Sequence, residues 1–549
     1  MKALRELGIS NENLTWTRLI ERQATRNGQK PYLIFEGNSW SYADVEQITR
    51  QLAVGLISFG IQPGDHIALL VGNCPETLFL NFALGRIGAV SCPINTAAKG
   101  ELLAYFLSSS NSCAIILGTN SFSKFEEIES KLPKVQRVLV VEEKQISQEL
   151  QTLTQPGYQG ICNKVINYEN LIKSNPNSLL PQVSPKDPQA IMFTSGTTGP
   201  SKGIVVTNEQ SFGFSIGRVE YLGLQSDDVV YTCLPLFHGN ALNAAAVPAF
   251  LADATLILSR RFSARSFWED VRKNNVTQFN LLSSMTNILW GMPPSPQDRV
   301  HKVRQCTMVP VPIFAVDFTL RFGIEIVSSY SLTDFGQGTF LQPSAPKEKY
   351  RSAGRPRPKV ELTIIDDNEQ PLPIGEAGEI CLRSNDPTLS GRYYYGMPEE
   401  TASANQGGWF HTGDRGYLDE DGFLYFVDRK KDAIRRRGEN ISSWEVEQVI
   451  ARHPDVADVA VYAVSSEFSE DEVMASIVCR DSRTIAPVDL ILFCERNMSY
   501  FMVPRYLEFL PDLPRTLTEK VQKQDLRKRA ESKIESLWDR EKSGIVLKR

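Results

Sequence analysis

Hydrophobic positions recur at helical spacing in SYADVEQITRQLAVGLISFG, where Val45, Ile48, Leu52 and Leu56 predict one apolar helix face. PGDHIALLVGN then reads as a turn feeding a buried strand, followed by a second helix in ETLFLNFALGRIGA and a second strand in CAIILG. This alternation predicts a largely parallel sheet covered by helices. It resumes after residue 185, where the strand AIMF leads into a Gly/Thr-rich loop. From Glu361 to Phe426 the pattern changes to short strands (VELTIID, GEICLR, GFLYFVD) parted by Gly, Pro and Asp turns, which predicts antiparallel sheet or barrel. Beyond Asp432, Ser442 and Glu445 form a capping-box pair ahead of a helix in SSWEVEQVIARH, with Val446, Val449 and Ile450 on one face. Strands VADVAVYAV and VMASIVCR follow, so a small α+β domain closes the chain. The fold class expected is α/β, a large N-terminal domain with an accessory β-barrel-like region and a small C-terminal α+β domain. The charged run DRKKDAIRRRGEN, residues 428 to 440, marks the boundary, giving domains 1–428 and 429–549.

A chain of 549 residues is too long for a single core, which agrees with at least two domains. Its 42% hydrophobic and 22% charged residues belong to an ordinary globular enzyme. Lys and Arg number 59 against 64 Asp and Glu, a net charge of -5, so no broad basic field recruits a nucleic acid or an anionic membrane. A small anionic ligand has to be met locally. Nine cysteines without a C-x-x-C pair point to neither a zinc site nor a disulfide framework. No signal-like or membrane-spanning apolar run is present, and a reducing cytoplasm is the expected setting.

The loop itself, MFTSGTTGPSKGIVVTN at 192 to 208, cannot be core, because its hydroxyls and amides need partners. It departs from G-x-x-x-x-G-K-[ST], since Ser201 and Gly203 stand where the second Gly and the hydroxyl belong. Glycines that let N–H groups converge, hydroxyl donors and the charge of Lys202 still suit a phosphate cradle. By composition a Ser/Thr/Gly spacer fits equally well; the position directly after a strand favours the cradle.

TSGTTGPSKG closely resembles the phosphate loop of the adenylate-forming superfamily of acyl-CoA synthetases, nonribosomal-peptide adenylation domains and luciferases. The superfamily's other motifs follow in order: PLFHGNAL at 235 to 242, YSLTD at 330 to 334, HTGDRGYLDEDG at 411 to 422, DRKKDAIRRRGENIS at 428 to 442 and LPRTLTEKVQKQDLR at 513 to 527. The wording of RRRGENISSWEVE and TEKVQK is most similar to the branch containing crotonobetaine/carnitine-CoA ligase. The resemblance implies an AMP-forming ligase using ATP, Mg²⁺ and CoA: a carboxylate attacks the α-phosphate of ATP, and a thiol then captures the acyl group.

The resemblance also implies roles. Thr194, Ser195, Gly196, Thr197, Thr198 and Lys202 hold the phosphates, and Ser329, Tyr330 and Thr333 belong to the nucleotide site. Asp334 stands where the family has Glu, one methylene longer, and binds the magnesium. Asp414 accepts from the ribose hydroxyls and Arg429 contacts ribose or phosphate. His238 organises the acyl site, Lys520 reaches the carboxylate and α-phosphate, Lys431 is the hinge of a mobile C-terminal domain, and Arg437 and Gly438 border the CoA channel. One departure stands out: MVPVPIFAV at 308 to 316 replaces a Gly-Gly-Ala-Pro-like segment with the stiffer Val309, Pro310 and Val311. Three functions stay open: transfer to CoA, transfer to a separate carrier-protein thiol or an amine, and nucleotide binding without catalysis. The acid is not identified; the small side chains of HGNALNAAAVPAF suit either a wide acyl pocket or closely packed helices.

Overall fold

The computed structural model describes residues 10–141, 164–194, 201–309, 311–312, 314–366, 368–429, 433–437, 439–466, 470–480, 483–514 and 521–547. Two large sheets dominate the N-terminal part. The first runs, edge to edge, through Tyr393–Tyr394, Lys202–Thr207, Pro188–Thr194, Val90–Pro93, His66–Leu70, Ala114–Gly118, Arg137–Val141 and Lys164–Asn167. Its pairings are parallel from Pro188–Thr194 onwards, while Lys202–Thr207 returns antiparallel, with Thr194 opposite Lys202. The second sheet has seven strands, six of them parallel and centred on Val229–Thr232 and Gln278–Leu282. The sequence pattern missed the strand Val90–Pro93 and the helix Gly100–Ser109, whose short apolar runs show no extended periodicity.

Between the sheets lie the helices Trp16–Asn27, Tyr42–Phe59 and Pro75–Ile87. Tyr42–Phe59 starts where Ser41 and Asp44 cap each other reciprocally and stops at Gly60, whose φ of 97° suits glycine. Pro75–Ile87 is buried all round, so its apolar residues follow no single stripe. At its centre the Trp16 ring stacks on Phe82 at 4.0 Å. Gly85 makes this possible: a Cβ there would lie 2.0 Å from Trp16 Cδ1.

The residues read as barrel or antiparallel sheet form a four-stranded antiparallel sheet, Glu361–Ile365, Gly378–Arg383, Phe410–Leu418 and Leu424–Arg429. After it the hairpin Ala433–Arg436 with Glu439–Ser442 leads into the helix Ser443–Ile450 and the sheet Val456–Ser465, Asp471–Cys479, Tyr506–Phe509 and Trp538–Asp539. This C-terminal part docks through an apolar cluster in which Leu102 and Phe106 of the helix Gly100–Ser109 join Met498, Phe501 and Met502. No helix among the described residues is long and apolar enough to cross a membrane.

Candidate active site

A cleft of about 1060 Å³ opens where the Pro188–Thr194/Lys202–Thr207 hairpin, the 330–334 loop, the antiparallel sheet and the C-terminal hairpin converge. Thr194, Lys202, His238, Thr333, Asp334 and Asp414 all line it, although 220 residues separate the first from the last. Six of the residues singled out from sequence are therefore brought to one cleft.

Each is fixed by its neighbours. The Asp334 carboxylate accepts from the Tyr394 hydroxyl at 2.7 Å, and the Lys202 ammonium sits over the same tyrosine ring at 4.4 Å. Burial raises the Asp334 carboxyl above its ordinary value, opposed by the Tyr394 hydrogen bond and then by the charges of Lys202 and Arg392. Arg392 donates to the Thr333 carbonyl at 2.5 Å, and burial pulls its own pKa down to about 10, partly offset by Asp334. Thr333 and Asp334 are thus held from behind, which presents the hydroxyl and the carboxylate to the cleft. Asp414 accepts from the Tyr330 hydroxyl at 2.7 Å and its N–H donates to Thr412 Oγ1 at 3.1 Å, so one carboxylate oxygen is positioned by a buried ring. Beside it the Gly413 N–H donates to Glu379, whose carboxylate lies 3.7 Å from His411 Nδ1.

Ser329 and Tyr330 are buried behind the cleft wall rather than on it, and Tyr330 acts by holding Asp414. Arg437 is exposed with φ of 53°, its N–H turned to Glu470 and its guanidinium to Glu541 at 3.1 Å. The strand carrying Arg429 pairs it opposite Asp414. Ser195, Gly196, Thr197, Thr198, Lys431, Gly438 and Lys520 lie outside the described residues, as does the side chain of Arg429.

Several residues that close the site were not assigned to it from the sequence. Tyr394 lies in the edge strand Tyr393–Tyr394 and Arg392 just before it, and sheet pairing with Lys202–Thr207 brings them to Asp334 and the Thr333 carbonyl. Glu439 meets His238 Nε2 at 3.3 Å and Asn95 Nδ2 at 3.5 Å. Glu445, read from sequence as a helix-cap partner, accepts from the Ser201 N–H at 2.9 Å and from the Ser201 hydroxyl. Tyr105 donates to the Ser201 carbonyl at 2.7 Å, so the end of the phosphate-loop segment is gripped from two sides. Burial pushes the Glu445 carboxyl up to about 7 against the pull of both Ser201 bonds. The unusual 308–316 segment begins at the end of the strand Gln305–Val309; the Val309 carbonyl accepts from Arg435 at 3.2 Å, and Phe314 stacks on Trp290 at 5.0 Å.

The donor set suits a magnesium nucleotide. Mg²⁺ takes one or two carboxylates and completes its shell with phosphates and waters, and Asp334 offers one carboxylate beside the end of the loop segment. Asp414 is an acceptor of the kind that ribose hydroxyls require.

Residues 20–394 match the family described as AMP-binding enzyme, and residues 445–520 match the AMP-binding enzyme C-terminal domain. A crotonobetaine/carnitine–CoA ligase from Salmonella agona (strain SL483) is 34% identical over 512 residues, covering 91% of this chain and 96% of that one. Among solved structures, an o-succinylbenzoate CoA synthetase from Bacillus subtilis superposes with a TM-score of 0.78 at 23% identity, over 94% of this chain and 98% of that one. An amide bond synthetase from Marinactinospora thermotolerans also superposes with a TM-score of 0.78, at 25% identity over 94% and 99% of the two chains.

Proposed function

Because this chain belongs to the family of AMP-binding enzymes, and is an ATP-dependent ligase joining a carboxylic acid to CoA through an acyl-adenylate, we propose how its own residues divide that chemistry. The observation that carries the reading is the single cleft onto which Thr194, Lys202, Thr333, Asp334, Asp414 and His238 converge. Adenylation concentrates negative charge at phosphorus, so the protein acts mostly by positioning and by electrostatic stabilisation. Thr194 to Thr198 and Lys202 receive the β- and γ-phosphates. The Thr333 hydroxyl meets the α-phosphate, and Asp414 accepts from the ribose. Magnesium, held by Asp334, neutralises phosphate charge when bound.

The C-terminal part supplies the second half. Domains 1–428 and 429–549 turn about Lys431, bringing Lys520 to the carboxylate and α-phosphate for adenylation and the Arg437–Gly438 loop to the thiol channel for transfer. His238, paired with Glu439, faces the acyl end. The resting place of this chemistry is the cytoplasm, where ATP and CoA are supplied. The acceptor and the acid are read by one experiment: acid-dependent pyrophosphate release across a panel of carboxylates, with CoA, a carrier protein, an amine or no acceptor added. Thioester formation dependent on CoA is expected. Amide formation alone would make this an amide synthetase, and no acid-dependent release would leave only a nucleotide-binding protein.

A further inference from the structure

Deep in the large domain, behind the 330–334 loop, lie two guanidinium groups that form no ion pair among the described residues. Arg218, on the helix Asn208–Leu222, is 1% exposed. Its Nη2 donates to Thr307 Oγ1 at 2.7 Å and its plane lies over the Phe340 ring at 5.8 Å, but its Nε–H has no acceptor. Arg357, 8% exposed, lies over the Tyr221 ring at 5.5 Å with its Nε and Nη1 unmet. The Tyr221 and Phe340 rings are 4.7 Å apart, so the two cations flank one aromatic pair. Gln337, 2% exposed, has no partner for either its amide nitrogen or its amide oxygen. Burial with no opposing charge pulls the Arg218 pKa down to about 10.

Two routes tie this cluster to the cleft. Gln337 pairs across its strand with Ser331, which lines the cleft. On the helix face of Arg218, Ser211 Oγ reaches Asn243 Oδ1 at 3.4 Å and Ser215 Oγ donates to the Asn243 carbonyl at 3.0 Å. Asn243 is half-buried and its amide lies beside Gly239, the residue after His238. A line of polar side chains thus runs from the cleft wall at His238 to Ser211 and Ser215, on the helix that carries Arg218. It passes through the π-helical turn Leu242–Ala246, a geometry frequent at functional sites.

A buried charge without a counter-charge lowers stability, and an apolar residue of similar volume would serve the core better. We propose that this cluster is the far end of the acid pocket, and that the acid carries a second negatively charged group, in the simplest case a second carboxylate, received by Arg218, Arg357 and Gln337. The inference rests on the ligase reading and adds the substrate class to it. Guanidinium forks match a carboxylate through paired N–H donors, and the two guanidinium groups flank one aromatic pair. An acid ending in a quaternary ammonium would bring a third cation to the cluster.

The test uses the full chain and three sets of acids of matched length: dicarboxylates of four to eight carbons, their monomethyl esters, and trimethylammonium acids. Pyrophosphate release and ligand-induced shifts in melting temperature are both measured. A dicarboxylate is expected to exceed its half-ester in kcat/KM by about 100-fold or more, since a site built for a polar group rejects analogues lacking it. Arg218→Met should collapse that ratio, mainly through KM, while the unliganded variant melts no lower than the parent. The same dicarboxylate should stabilise the parent and fail to stabilise the variant, an effect that needs no turnover. Half-esters or trimethylammonium acids outperforming the dicarboxylates, or no dicarboxylate stabilising the parent, would overturn the proposal. An Arg218→Met that melts lower and depresses every acid alike would also overturn it and make the cluster structural. Turnover without dicarboxylate preference refutes only the substrate class, whereas absence of acid-dependent release from every acid refutes the ligase reading itself.

Discussion

Asp334 sits within reach of a tyrosine hydroxyl, a lysine and an arginine, and this company decides what its carboxylate can do. Lys202 and Arg392 favour the ionised form against burial, so the group is available as an oxygen ligand in the cleft. Asp334→Asn keeps the shape and removes the charge. It should raise the magnesium needed for half-maximal pyrophosphate release by about tenfold or more, whereas Asp334→Glu should be milder. Identical magnesium titrations for the three proteins would remove Asp334 from the metal site. The candidate role of this residue was legible from YSLTD, but its support was not. Tyr394 and Arg392 lie about 60 residues further on and meet it only because Tyr393–Tyr394 pairs with the strand Lys202–Thr207.

At the scale of elements, two contacts invite measurement. The helix Pro75–Ile87 passes so close to Trp16 that Gly85 leaves no room for a methyl group. Gly85→Ala should cost about 1–3 kcal/mol, as overpacking of a filled core does, and lower the urea midpoint accordingly. An unchanged midpoint would mean that Trp16 shifts freely. The second contact is that of the helix Ser443–Ile450 with Ser201, through Glu445. A carboxyl raised from an ordinary 4.5 to about 7 binds its proton more tightly when docked than when exposed. Docking of the C-terminal part should therefore be strongest below pH 4.5, weaken as the pH rises towards 7, and change little beyond. Fluorescence energy transfer between labels on the two domains should follow that course, and Glu445→Gln should flatten it. The same slope in the glutamine variant would assign the effect to another group.

For the whole molecule, the cleft takes walls from both ends of the chain: Glu439, Glu445, Phe501 and Met502 face Thr194, Lys202 and Asp414. The two half-reactions should then be separable. Lys520→Ala is expected to abolish most acyl-adenylate formation by losing an electrostatic contact in adenylation, an effect of about 100-fold or more, yet to leave thioester formation from supplied acyl-adenylate largely intact. Gly438→Trp is expected to do the reverse by obstructing the thiol channel. Equal damage to both half-reactions by both variants would argue for one fixed active site rather than a turning domain.

By itself the sequence determined the class of the fold and picked out six residues that line the cleft. Those depend on local periodicity, turn chemistry and short motifs, all carried by neighbours in the chain. Helices such as Tyr42–Phe59 and strands such as Val456–Ser465 were legible for that reason. Val90–Pro93 and Gly100–Ser109 were not, because a fully buried strand and a ten-residue helix take their stability from the layers around them. Only the tertiary structure decided that Tyr330 lies behind Asp414, that Glu445 reaches Ser201, and that Arg218 and Arg357 flank one aromatic pair with no ion-pair partner among the described residues. These relations join residues 84, 244 and 139 positions apart. Hydrogen bonds, burial and uncompensated charge act over a few ångströms of space, a distance that chain order leaves open until the sheets have paired.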